Sequence, residues 1–81
     1  METIFYRVLE QSQSNQIRIG APFYGTDMDA IVDNVIKSYE TSHSQCDGFL
    51  AACEKYYQRI AIVDADTLQI VRVIYNKKIN N

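Results

Sequence analysis

Apolar and polar positions alternate near both ends of the chain and follow a helical period between them. From Thr3 to Glu10 the spacing predicts a strand, with Ile4, Tyr6 and Val8 on one face and Phe5, Arg7 and Leu9 on the other. Aromatic and β-branched side chains of this kind suit a pleated surface. The polar run Gln11 to Asn15 reads as a turn and Gln16 to Ala21 as a second strand, so the two form a β-hairpin. Pro22 has no amide hydrogen to donate and ends that ladder.

The next segment changes period. Met28, Ile31, Val32, Val35, Ile36 and Tyr39 fall at i, i+3, i+4, i+7, i+8 and i+11, the apolar stripe of a helix that runs to Tyr39 or Thr41. Thr26 is the expected N-cap. Asp27 and Asp29 lie in the first turn, where the helix dipole favours negative charge. Ser42 to Asp47 breaks the pattern. Asp47 is placed to cap a shorter helix, Gly48 to about Gln58, with Phe49, Leu50, Cys53 and Tyr57 on its inner side. Arg59 to Val63 reads as a strand, Asp64 to Thr67 as a turn and Leu68 to Tyr75 as the last strand. The order ββααββ predicts an α+β domain: a four-stranded antiparallel sheet with the helices packed mainly on one face. Residues 1–76 make up this single domain, and 77–81 form a polar tail expected to fray.

The last strand departs from the rule that a half-exposed strand alternates apolar with polar. Val71, Val73 and Tyr75 share one side, and Leu68, Ile70 and Ile74 share the other with Arg72 among them. Phe5 and Leu9 give the first strand a second apolar side as well. A helix layer on one face leaves the other exposed, and exposed apolar patches mark interfaces. Self-association through Phe5, Leu68, Ile70, Arg72 and Ile74 is therefore expected, a symmetric homodimer being its commonest form. The competing arrangement puts one helix on each face and exposes nothing.

Composition narrows the function. Of 81 residues, 47% are hydrophobic and 22% charged, a balance typical of folded domains. The net charge of −2 argues against a general nucleic-acid binder, which carries a basic face. No apolar run approaches the roughly 20 residues that span a bilayer, and the N-terminus lacks a basic, then apolar, leader, so a cytoplasmic location is expected. Cys46 and Cys53 read as reduced thiols in that compartment.

Two further sets of residues are candidates for a partner surface. Asp27, Asp29, Asp33 and Glu40 decorate the polar side of the first helix and would face a basic partner. The alternative is a solvated face in which Asp33 pairs with Lys37 at i+4. Phe23 and Tyr24 lie between Gly20 and Gly25, just ahead of the helix, and either bind or close the end of the core. Arg7, Arg18 and Arg72 would make a nucleic-acid platform only if they converged with aromatics on one face.

Chemistry is sparse. His43 and Cys46 form one ligand pair whose tetrahedral complement is missing, and Cys53 falls on an apolar stripe, so no metal is expected. No nucleophile has an orienting partner at recognisable spacing, and no glycine-rich phosphate loop exists. Neither catalysis nor a cofactor is expected. The reading that remains is a small non-enzymatic protein-binding or regulatory module that self-associates. An inhibitor of a host defence complex, encoded by a phage or mobile element, is one form such a module takes. The alternatives are a nucleic-acid-binding domain using an open sheet face and a small-ligand sensor with a pocket at a dimer interface.

Overall fold

In the computed structural model, which describes residues 3–77, the alternation that begins at Phe5 runs further than Glu10. Strand β1 is Phe5–Ser12. It turns through Asn15, whose φ of 70° is tolerated by its short polar side chain, into β2, Ile17–Ile19. Two glutamines fix this turn against the rest of the fold. Gln58 Nε2 donates to the carbonyls of Ser12 and Gln13, and Gln13 Nε2 donates to those of Glu54 and Tyr57. The segment read as a loop after Pro22 holds a further two-residue strand, β3, Phe23–Tyr24.

Helix α1, Met28–Ser42, carries the stripe expected of it, with Ile31 and Val35 buried. Its N-cap is Asp27 rather than Thr26. Asp27 has an extended backbone, and its carboxylate accepts from the Asp29 N–H at 3.1 Å. Helix α2 is Phe49–Tyr56, and its cap position is Gly48 rather than Asp47. Gly48 sits at φ 95°, a conformation a side chain would strain. In so short a helix Ala52 and Cys53 form the buried face. Leu50, expected inside, is exposed, and Tyr57 begins the next strand with no intervening loop.

Strands β4, Tyr57–Asp64, and β5, Ile70–Asn76, complete an antiparallel sheet of order β2-β1-β4-β5. Strand β3 adds to β1 on the same edge as β2, so the sheet has five strands rather than four. Between β4 and β5, Asp64 Oδ1 accepts from the N–H groups of Asp66 and Thr67. Leu68, expected in the strand, instead takes φ 64° in this turn. The Thr67 and Asp66 bonds hold the Asp64 carboxyl below its ordinary range. At the other end of β5 the pairing outlasts the strand: Lys77 N–H donates to the Gln58 carbonyl. Residues 78–81 of the expected tail lie outside the described residues.

Both helices pack on one side of this sheet. Ile31 and Val35 of α1 meet Ile62, with Tyr6, Val8, Phe23, Met28, Val32, Tyr39 and Ile74 around them. Phe49 of α2 meets Tyr39 edge-on at 6.0 Å between ring centroids. Strand β4 is central, and Ile60, Ala61, Ile62 and Val63 are all fully buried. Gly25 lies close against α1. A Cβ there would stand 2.9 Å from both Cγ1 and Cδ1 of Ile31. Gly25→Ala should therefore cost about 1–3 kcal/mol of stability through overpacking, read as a lower urea midpoint with an unchanged slope.

Candidate functional site

With the helices on one side, the other side of the sheet is bare among the described residues, and the register says what stands on it. Leu9 pairs with Ile19 and Ala61, Arg7 with Val63, Phe5 with Tyr24, and Gln11 with Ile17 and Arg59. Across the other ladder Ala61 pairs with Val73 and Val63 with Ile70. Residues directly opposed share a face, so all of these point away from the helices. Phe5, Ile17, Ile19, Ile70 and Val73 are each between 40% and 55% exposed, and Tyr24 tilts against Phe5 at 5.9 Å. Leu9, Ala61 and Val63, at the centre of the patch, are buried. Among the described residues in register here there is no carboxylate. The charges are Arg7, which donates to the carbonyls of Ala65 and Gly20, and Arg59.

Strand β5 does not present the residues that strict alternation assigns to this patch. Its register against β4 shifts twice, leaving Val71 and Ile74 as extra residues in β-bulges. Each shift exchanges the faces of the residues beyond it. Phe5 and Ile70 stand on the bare face. Arg72 opposes Ile62 and reaches Asp29 at 3.6 Å, and Ile74 packs into the helix-side core. Leu68 is exposed in the turn before the strand. The apolar character of both sides of β5 thus reflects two bulges together with a bare face.

The residues expected to meet a partner are divided in the same way. Phe23 is half-buried against Tyr6 at 6.2 Å, whereas Tyr24 is exposed beside Phe5 and belongs with the bare face. The acids of α1 face outward but are not all free. Asp33 meets Lys37 at 3.2 Å, Asp29 meets Arg72, and Asp27 is the cap. Glu40 is exposed without an ion pair among the described residues. Arg7, Arg18 and Arg72 do not converge, since only Arg7 lies on the bare face.

Sequence reasoning missed a polar cleft on the helix side. α1 leans over β1 and β4 and leaves β2 uncovered. The space of about 350 Å³ beside it is lined by Glu10, Arg18, Tyr39, Ser42, His43 and Tyr57, among others. The Tyr39 hydroxyl donates to Glu10 at 2.5 Å, and His43 Nε2 and the Tyr57 hydroxyl are 3.0 Å apart. His43, expected in a solvated loop, ends α1 and is half-buried, stacked on the Tyr56 ring at 4.8 Å and 22°. The spacing Tyr39-x-x-x-His43 on one helix face was the available signal. Burial raises the Tyr39 phenol well above its ordinary value, and its bond to Glu10 acts in the same direction. Tyr57 is raised too, by burial first and then by the Glu10 charge. A second, more apolar groove of about 420 Å³ continues along α1 past Val8 and Ser38 to Phe23 and Tyr24.

Among the described residues no three metal-ligating side chains gather. Both cysteines are free, Cys46 half-buried and Cys53 fully buried. Burial, then the Glu54 charge, pushes the Cys53 thiol up to about 12. The neutral thiol is thus favoured by folding. Its contribution is intact below the ordinary value of 9 and is lost as pH rises towards 12, so the urea midpoint should fall across that range. Under native conditions a thiol-specific disulfide reagent should label Cys46 promptly and Cys53 only on unfolding, and Cys46→Ser should abolish the prompt phase. Comparison with family models, with curated proteins and with solved structures finds no match to this chain.

Proposed function

We propose that this chain is a small non-enzymatic binding module that pairs with a second copy of itself through the bare face of its sheet. The observation that carries this reading is the apolar patch of Phe5, Ile17, Ile19, Ile70 and Val73, free of carboxylates among the described residues and backed by the buried segment 60–63 of β4. Strands β1, β4 and β5, of 8, 8 and 7 residues, with the short β2 and β3 sharing the fourth position, present a face of roughly 19 by 23 Å. Two such faces stacked remove on the order of 1,000 Å² from water, the lower bound for a specific interface. A twofold arrangement brings the same patch to both sides and needs no further complementarity.

In such a pair the helix layers are outermost. Each copy then displays the acids of α1 to solvent, with Glu40 unpaired among the described residues, as a surface for a protein partner with a basic face. A regulator or inhibitor that docks on a larger complex fits this arrangement, including the kind a phage or mobile element directs against a host defence complex.

Sedimentation velocity tests the self-association. The chain should sediment at twice its 9.3 kDa protomer mass. Ile19→Asp and Ile70→Asp should each give a soluble monomer with an unchanged far-UV spectrum and dimerisation at least about 100-fold weaker, since symmetry sets charges into an apolar interface. A wild-type monomer at about 0.1 mM, well above the micromolar range of ordinary interfaces, sinks the reading.

A further inference from the structure

The helix-side cleft contains an opposite-charge pair that does not close. Glu10 on β1 and Arg18 on β2 are direct cross-strand partners. Such neighbours have Cβ atoms only about 5 Å apart, and opposite charges there ordinarily meet. Here Glu10 is held instead by the Tyr39 hydroxyl from α1. Arg18 has no ion pair among the described residues and stands exposed at the rim. One Glu10 oxygen accepts from Tyr39, and the other accepts no hydrogen bond among the described residues.

The cleft therefore offers an acceptor of cations and a donor to anions on neighbouring strands, with aromatic and hydroxyl groups lining the same space. Ser42 stands on the α1 wall, and the Tyr57 hydroxyl, bonded to His43, lines the end. We infer that this cleft binds a small zwitterion, a free amino acid or a close analogue, with its ammonium at Glu10 and its carboxylate at Arg18. At about 350 Å³ the space lies near the lower end of small-molecule pockets, roughly 300–1,000 Å³, which limits the ligand to that size. Tyr39, His43 and Tyr57 form its aromatic wall. The site opens on the helix side of the sheet and shares with the face assigned to self-association the edge residue Ile19, but Glu10 and Arg18 lie outside that face.

Thermal unfolding of the full chain tests this with each of the twenty free amino acids in turn, at millimolar concentration. At least one should raise Tm by about 4 °C or more, as expected for a ligand at ten times its Kd or above. The methyl ester of that amino acid, which has lost the carboxylate, should raise Tm by much less. Arg18→Gln, at an exposed position, should keep the unliganded Tm and weaken binding at least tenfold, while Arg18→Lys should retain part of it. A panel in which no amino acid moves Tm overturns the inference. An ester as effective as the free acid, or an Arg18→Gln protein that responds like wild type, overturns it equally.

Discussion

One helix layer serves one side of the sheet, and the rest of the structure depends on that limit. Helix α1 buries Ile31 and Val35 against Ile62 and its neighbours, and the shorter α2 fills the remaining space with Ala52 and Cys53. Together they consume the helix-forming residues between Gly25 and Tyr57. No helix among the described residues covers the other side, where Leu9, Ala61 and Val63 lie buried at the centre. The strands are apolar on that side as well, a pattern ordinarily met in sheets covered on both faces. A chain of this length buries a smaller fraction of its surface than a larger domain does. Under the proposed pairing, a second copy on the bare face would supply the missing layer.

The period-2 and period-3.6 patterns carry the α+β class, the hairpins at both ends and the extent of α1. They do not carry face assignments in β5. Counting alternate residues from Leu68 to Tyr75 groups Ile70 with Arg72 and Ile74, whereas the two bulges put Ile70 on the bare face and the others with the helices. A bulge adds a residue without changing composition, so no periodicity reveals it. The caps are displaced by one residue for a comparable reason. Thr26 and Asp27 are both good caps, and the choice falls to the one whose backbone is extended when the helix begins. The patch itself was legible as an anomaly, through the excess of apolar residues at the chain's two ends.

The polar cleft was less legible, because its members come from four elements. Glu10, Arg18, Tyr39 and Tyr57 are separated along the chain and meet only once α1 is packed on the sheet. His43 looks solvated in a stretch of serines. Its position on α1 one turn beyond Tyr39, followed later by the Tyr56-Tyr57 pair, is what gathers the aromatic rings. Cross-strand register was the missing information: once Glu10 is known to oppose Arg18, their failure to pair becomes visible.

The bulges in β5 have a consequence at the margins of the sheet. Regular edge strands are templates onto which further strands add without limit. One margin here is β5, whose ladder is broken twice in seven residues. The other is split between β2 and β3 by Gly20, Ala21 and Pro22, the last with no amide hydrogen to offer. Neither margin gives an incoming strand an uninterrupted row of hydrogen-bonding groups. Growth by lateral polymerisation is thus discouraged at both ends of the sheet, which leaves its broad face, rather than its edges, as the apolar surface open to contact.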